Sequence, residues 1–175
     1  MRKLVLYIAT SLDGKIADDN HQVDWLEQMP NPEMSDYGYH DFLNSVDTTI
    51  MGNNTYRWLQ QQDFPFPYSG KENFVLTKNE GLTKDENVFF ISKTEGFIEE
   101  LKSKEGKDIW LIGGGQLASH FLDQGLIDEV RLFVMPILLG DGINLFQNVN
   151  PRQQLMLLSS STYSSGVVEL RYRMA

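Results

Sequence analysis

Short apolar runs alternate along the chain with segments whose apolar residues recur at helical spacing. A run of about four to eight apolar residues between turn signals is typical of a buried strand, whereas recurrence every three or four residues predicts an amphipathic helix. Residues 155–163 and 167–173 alternate around a Ser-Ser-Gly turn and predict an antiparallel hairpin. The other predicted strands are residues 3–9, 48–51, 73–76, 87–91, 109–112 and 129–136.

Helices are predicted between these strands. Asn31 lies before a proline and predicts a helix start, because asparagine caps helices and proline suits the first helical position. Ser92 and Glu95 have capping-box spacing and predict a second start. A third helix, with Tyr56 and Leu59, follows residues 52–55, and a fourth follows the three glycines after residue 112 and ends near Gln124. This alternation predicts an α/β domain with a mixed, mostly parallel sheet that closes in an antiparallel hairpin.

Several predicted strands end in glycine or small polar residues. The strand that contains Trp110 runs into three glycines, strand 48–51 runs into Gly52, and strand 73–76 runs into Thr77. Without a Cβ, a ligand can lie against the backbone, and the amides that open a following helix favour a phosphate. The alternative is a turn that needs small residues only for packing. Parallel strands bring such ends to one edge, which predicts a single extended cleft.

Composition narrows the classes of function. With 175 residues, of which 41% are hydrophobic, the chain can form a single domain over residues 1–175 with a sizeable core. The net charge of −9 argues against nucleic acid or an anionic membrane as a partner. No stretch approaches the ~20 apolar residues of a membrane span. Cysteine is absent and the three histidines are dispersed, so we expect a cytoplasmic protein without a metal site.

Few side chains are placed for covalent chemistry. Lys15 follows the first strand and is expected to meet a phosphate or a carboxamide, although a surface lysine in a turn is the alternative. Asp36 and His40 are four residues apart and are predicted to touch. Beside an apolar stripe the pKa of Asp36 is expected to rise, which would make it a proton handler or a hydrogen-bond acceptor. The alternative is a solvated acid or a charge at the N-terminus of a helix. Hydride transfer fits this balance, because a cofactor carries the chemistry.

Motifs in a fixed order resemble the dihydrofolate reductase superfamily. Within that superfamily, further motifs are similar to the C-terminal reductase domain of the bifunctional riboflavin-biosynthesis deaminase-reductase, and the resemblance spans the whole chain. The superfamily motifs are residues 11–17, 51–56, 75–78 and 112–115, and those of the riboflavin branch are residues 128–130, 136–140 and 145–146.

This resemblance implies a dihydrofolate reductase-like three-layer fold with a central, mostly parallel mixed sheet of about eight strands, flanking helices and a C-terminal antiparallel hairpin. It implies an NADPH-dependent reductase for a small heterocycle or a sugar-linked pyrimidine, such as 5-amino-6-(5-phosphoribosylamino)uracil in riboflavin biosynthesis. Dihydrofolate reductase proper and a non-catalytic NADP-binding module are the alternatives. The catalytic candidates are Lys15, Asp36 and His40. The cofactor-binding candidates are Ala9, Ile16, Gly52, Asn53, Asn54, Thr55, Leu76, Thr77, Lys78, Gly113, Gly114, Gly115, Gln116 and Leu117.

Some positions depart from the family pattern. Asn53 stands where the family has arginine or lysine, so a preference for NADPH rests on Lys78, where the family grips the adenosine 2′-phosphate. Ala118 replaces a tyrosine, and Ile112 replaces a glutamate that meets the sugar-phosphate substrate of the riboflavin branch. These departures leave the substrate open. The closing hairpin is expected to pair edge to edge with a second copy, which would give a homodimer.

Overall fold

The computed structural model of the protein describes residues 1–149 and 152–175. Within these ranges the strands form a central sheet of eight and a separate sheet of two. The small sheet pairs β2 (Lys15–Ala17) with β8 (Ile143–Asn144). The central strands are β1 (Leu4–Ser11), β3 (Val46–Gly52), β4 (Glu72–Leu76), β5 (Phe89–Ile91), β6 (Asp108–Gly113), β7 (Glu129–Met135), β9 (Leu155–Thr162) and β10 (Val168–Met174).

The strand order across the central sheet is β5-β4-β3-β6-β1-β7-β10-β9. The strands from β5 to β7 run parallel, and the hairpin of β9 and β10 adds antiparallel strands beyond β7. The predicted fold class is therefore confirmed. The strands β2 and β8 were not predicted, because segments of three and two residues are too short to show a periodicity.

Helices cover both faces of the central sheet. They are α1 (Tyr39–Ser45), α2 (Asn53–Gln60), α3 (Phe97–Ser103) and α4 (Gly115–Asp123). We call one side the α3/α4 face, where Leu101 and Phe121 pack with Leu6 of β1. On the opposite α1/α2 face, Phe42 packs against β1 and β6, and Leu59 packs against β3 and β4. In the described ranges, no helix has the length and apolar character that a membrane span requires.

Two predicted helix starts are wrong. Asn31 does not begin a helix; its side chain closes a turn with Ser35, and α1 begins only at Tyr39. The amides before and inside the first turn of α1 are taken by Asp36 instead. Likewise, α3 begins at Phe97 after a glycine with φ of 72°, so the predicted capping box at residues 92–95 is not the start. Both starts are therefore set by other local features, the Asp36 carboxylate before α1 and the left-handed Gly96 before α3.

Candidate active site

The carboxyl ends of β1, β3, β4, β6 and β7 meet at one edge of the sheet, where β10 begins, and we call this edge the rim. Gly52 at the end of β3 pairs with Leu76 of β4, and the preceding Met51 pairs with Gly113 of β6. A Cβ built on Gly113 would lie 3.2 Å from Cδ1 of Ile8 in β1. The strand ends that the sequence predicts to share an edge therefore do share it.

The three glycines after β6 have different roles. Gly113 and Gly114 have φ angles of 136° and 60°, which favour glycine. A Cβ on Gly114 would meet only Thr55 Oγ1, at 4.0 Å, so this corner has room for a ligand. A Cβ on Gly115 would collide with the carbonyl oxygen of Asn144. The packing explanation therefore holds for Gly115 and for the buried Gly113, whereas Gly114 leaves accessible backbone at the rim.

Two helices begin at the rim without a side-chain cap. The N-cap of α2 is Gly52 and that of α4 is Gly114, and neither helix receives a capping side-chain hydrogen bond. Their first amides thus remain available to an anion. Asn54 and Gln116 are exposed, whereas the side chain of Leu117 lies in the core, so only the backbone of Leu117 can face a ligand.

A cavity of about 280 Å³ opens beside α2. Asn53 and Arg57 line it one helical turn apart, and Lys84 and Asp85 close it from a loop. The Tyr56 hydroxyl donates a hydrogen bond to Asp85 Oδ2 at 2.6 Å. This bond is the main reason why the pKa of Asp85 is lowered. Arg57 and Lys84 thus bring cations near Asn53 that sequence reasoning missed. The signal for Arg57 was its spacing of four from Asn53 on a helix.

Lys15 is held close to the start of α4. Its Nζ donates a hydrogen bond to Asn144 Oδ1 at 2.7 Å, and the carbonyl oxygen of Asn144 packs against Gly115. The backbone N–H of Lys15 donates to Ser11 Oγ at 2.9 Å. The β2–β8 pairing that carries Lys15 and Asn144 thereby brings the lysine to the rim. Ile16 follows on β2 and packs, half-buried, against the core of the α3/α4 face.

Asp13 joins the Lys15 turn to a distant turn. Its carboxylate accepts hydrogen bonds from the backbone N–H groups of Leu139 (3.1 Å) and Gly140 (2.8 Å), and from Ser11 Oγ (2.6 Å). The hydrogen bond from Ser11 is the main cause that lowers the pKa of Asp13 to about 2. Two separate sequence motifs therefore form one corner of the rim. An aspartate in a turn does not indicate its distant partner, so sequence reasoning missed this link.

Asp36 and His40 touch as predicted, with His40 Nδ1 at 2.7 Å from Asp36 Oδ2. Asp36 precedes α1, and its carboxylate accepts the backbone N–H groups of Gly38 (2.9 Å) and His40 (3.1 Å). The hydrogen bond from the His40 backbone is the main cause that lowers the pKa of Asp36 from 3.8 to about 2. The expected rise of this pKa is wrong, because the carboxylate is exposed and caps a helix. Asp36 is ionised at neutral pH and serves as an acceptor.

Aromatic side chains pack on the α1/α2 face near Asp36. Trp25 is only 7% exposed and packs with Ala9 and Phe133 at the ends of β1 and β7. The Tyr37 ring lies 4.8 Å from the ring of Tyr163, whose segment precedes β10. The indole N–H of Trp25 is buried and has no hydrogen-bond partner among the described residues. A buried donor without a partner is uncommon in proteins.

A buried ion pair supports this aromatic layer. Arg131 Nη2 donates to Glu169 Oε1 at 2.6 Å, and the two side chains are 16% and 9% exposed. The Arg131 guanidinium also lies 5.2 Å from the centre of the Tyr7 ring and 5.4 Å from that of Phe42. Tyr163 donates a long hydrogen bond of 3.4 Å to Glu169 Oε2. The pair therefore links β7 and β10 to the segment that carries Tyr37.

Residues 2–169 match the RibD C-terminal domain family. The chain belongs to this family. It is 38% identical over 172 residues to YwjB of Bacillus subtilis (strain 168), which covers 98% of this chain and 97% of YwjB. A crystal structure of a protein from Shewanella sp. PV-4, which its name assigns to riboflavin biosynthesis, superimposes with a TM-score of 0.87 at 33% identity over 99% of both chains.

A larger protein from Thermotoga maritima contains the same fold. This deaminase/5-amino-6-(5-phosphoribosylamino)uracil reductase superimposes with a TM-score of 0.73 at 18% identity, over 99% of this chain and 57% of that one. The resemblance inferred from the motifs is confirmed, and the chain has the fold of a reductase domain of the riboflavin branch.

Proposed function

We propose that the protein is an NADPH-dependent reductase that transfers a hydride to a small heterocyclic or sugar-linked pyrimidine substrate. The observation that carries this proposal is the convergence of two uncapped helix starts and two open glycine corners on one rim, in a chain of a reductase family. The compound named for the Thermotoga relative, 5-amino-6-(5-phosphoribosylamino)uracil, is the first substrate to test.

The residues at the rim fit a pyridine dinucleotide. Backbone without Cβ atoms at Gly52 and Gly114 leaves room for a flat group, and the first amides of α2 and α4 suit a pyrophosphate. The cofactor would supply the hydride. The chain's own part is to hold the ring near Ala9 and to exclude water. At Gly115 a flat group has no such room, because Asn144 fills the place of a Cβ.

The extra phosphate of NADPH would meet cations near Asn53. Lys78 is exposed directly after Thr77, and Arg57 lines the cavity one turn beyond Asn53. A phosphate gains charge-assisted hydrogen bonds from such groups. The Asp85 carboxylate in the same cavity repels an anion. The affinity gained from the extra phosphate therefore depends on Lys78 and Arg57 together.

At the substrate end, Lys15 and Asp36 would bind two different groups of the substrate. The Lys15 ammonium suits a phosphate on a sugar, and the Asp36 carboxylate suits ring N–H donors. Because Asp36 is ionised at neutral pH, it would orient the ring and would not deliver a proton. His40 or water would then protonate the substrate nitrogen. The cysteine-free chain also supports our proposal of a cytoplasmic location.

The cofactor can be tested by thermal shift, because a ligand that binds only the folded state raises the melting temperature. We expect NADPH to raise it more than NADH. Lys78→Ala and Arg57→Ala should each weaken NADPH about tenfold, which corresponds to ~1.4 kcal/mol, and leave NADH unchanged. Lys104→Ala is the matched control, since this exposed lysine pairs with Glu100 on α3. Equal shifts with both dinucleotides would contradict the assignment of the extra phosphate.

The substrate can be tested by following the loss of reduced nicotinamide absorbance. Separate reactions would contain 5-amino-6-(5-phosphoribosylamino)uracil or dihydrofolate. Turnover of the first supports the proposal, and turnover of dihydrofolate alone would indicate dihydrofolate reductase. Binding of NADPH without turnover of either compound would instead favour a non-catalytic module.

A further inference from the structure

The segment before α1 has an unusual backbone conformation. Met34 and Tyr37 have φ angles of 50° and 53°, in the left-handed region that residues with a Cβ rarely adopt. Such a conformation persists only where surrounding contacts hold it, and it is common at functional sites. Tyr37 directly follows Asp36 and leads the chain into α1. The position of the Asp36 carboxylate at the helix start therefore depends on what holds Tyr37.

The turn of the closing hairpin holds Tyr37 from a distant part of the chain. The Tyr37 hydroxyl donates a hydrogen bond to Ser165 Oγ at 3.1 Å. The Tyr37 ring packs edge-on against the Tyr163 ring, with the ring centres 4.8 Å apart and the ring planes at 89°. This edge-to-face arrangement is favourable for aromatic rings. We call Tyr163 and Ser165 the hairpin clamp.

Tyr163 is itself fixed by the rest of the fold. Its backbone N–H donates to the carbonyl oxygen of Val167 at 3.0 Å, which closes the hairpin turn. Its hydroxyl donates to Glu169 Oε2 at 3.4 Å, and Arg131 holds Glu169 in the buried ion pair. Burial is the main reason why the pKa of Tyr163 is raised, and the charges of Glu169 and Asp36 act in the same direction. The Asp36 carboxylate therefore lies close to the hairpin clamp.

We propose that Tyr163 and Ser165 are positioning residues, which hold Tyr37 and thereby keep the Asp36 carboxylate at the start of α1. This inference rests on the proposed function, in which Asp36 orients the substrate ring. Neither residue of the hairpin clamp touches the substrate in this role, because each acts through the segment that carries Asp36. Without the clamp, the first contact to be lost is the hydrogen bond from the His40 backbone N–H to Asp36.

Amide hydrogen exchange, followed by NMR, tests the hairpin clamp without any substrate. Tyr163→Ala should speed the exchange of the His40 amide about tenfold, because opening of the segment exposes this amide to water. The amide of Ala118, which is hydrogen-bonded inside α4, should not change. Tyr163→Phe keeps the ring and should stay within about twofold of the wild type, since its hydroxyl makes only long contacts. Ser164→Ala is the matched control, because Ser164 is exposed in the same turn.

Kinetics test whether the hairpin clamp acts through Asp36. With 5-amino-6-(5-phosphoribosylamino)uracil, Tyr163→Ala should lower kcat/KM about tenfold, because a misplaced carboxylate orients the ring poorly. The KM for NADPH should not change. In the Asp36→Asn background, Tyr163→Ala should have little further effect, because two changes that act through one group are not additive. A loss of equal size in both backgrounds would overturn the proposal.

Tyr37→Phe guards against misfolding of Tyr163→Ala, because it removes only the hydroxyl that meets Ser165. Loss of this hydrogen bond should speed His40 exchange about threefold. If circular dichroism shows that Tyr163→Ala is unfolded, Tyr37→Phe alone decides. Unchanged His40 exchange in the folded variants would overturn the proposal, and so would equal acceleration at His40 and Ala118, which indicates global destabilisation. A wild type that turns over no substrate would contradict the proposed function, and the exchange result would still decide the role of the hairpin clamp.

Discussion

One half of the rim presents mainly backbone atoms, and the other half presents mainly side chains. At β3 and β6 the surface is backbone, with open corners at Gly52 and Gly114. At β1, β7 and β10 it is made of side chains, including the aromatic layer around Trp25 and the buried ion pair beneath it. The backbone half can bind phosphates and flat rings without particular side chains, whereas the side chains of the other half can select the substrate. The cofactor is therefore easier to infer from this chain than the substrate.

The largest effect is expected where the side-chain half buries charge. Arg131→Met should lower the free energy of unfolding by about 3–5 kcal/mol, because it leaves the Glu169 carboxylate buried without its partner. Urea unfolding would measure this change. The double variant Arg131→Met/Glu169→Leu should recover most of the loss. Glu100→Ala, which breaks an exposed pair with Lys104, should cost less than ~1 kcal/mol. If the single and double variants are equally unstable, the ion pair is not the cause.

In the backbone half, an added side-chain atom should destabilise the fold through steric overlap. Gly115→Ala places a Cβ against the carbonyl of Asn144, and such overpacking costs about 3 kcal/mol. The melting temperature should fall by about 6–12 °C in a chain of this size. Gly70→Ala is the control, because nothing lies within 4 Å of the Cβ it would add. A melting temperature that is unchanged in Gly115→Ala would show that residues 144–145 do not pack on the helix start.

Two buried tryptophans provide a sharper comparison. Trp110 is 5% exposed and its Nε1 donates to the carbonyl oxygen of Tyr7 at 3.2 Å, whereas the Nε1 of Trp25, at 7% exposure, has no partner among the described residues. Replacement by phenylalanine should therefore cost about 1 kcal/mol more at Trp110 than at Trp25. Thermal unfolding of the two variants measures the difference. A larger cost at Trp25 would indicate that the Trp25 indole N–H has a hydrogen-bond partner in its surroundings.

The smallest effect concerns acid stability. The pKa of Asp36 lies at about 2 in the folded protein and near 3.8 otherwise, so the unfolded state binds the proton more tightly. The stabilising contribution of Asp36 is complete above pH 3.8 and is lost as the pH falls toward 2. Asp36→Asn should flatten the fall of the melting temperature in that window and leave its profile above pH 5 unchanged in shape. An identical acid profile in the variant would contradict this role.

Periodicity predicted most of the fold, because the central strands are apolar runs whose burial follows directly from their composition. It failed at β2 and β8, which exist only through pairing between residues more than a hundred positions apart. It also failed at the starts of α1 and α3. Asp36 and Gly96 precede these helices, whereas Asn31 and Ser92 were the predicted caps.

The candidate site divides in the same way. The glycine corners followed from the sequence, since a missing Cβ is a local property. The role of Gly115, the cations at Arg57 and Lys84 and the lowered pKa of Asp36 depend on neighbours that folding brings in. For Asp36, the contact with His40 was predictable from spacing, but the direction of the pKa shift required the helix start to be located.

The packing of Asn144 against Gly115 couples two parts of the rim. Its carbonyl oxygen fills the place of an absent methyl group at the start of α4, while its side-chain oxygen holds the Lys15 ammonium. Displacing Asn144 would therefore remove the packing contact at Gly115 and the hydrogen bond to Lys15 together.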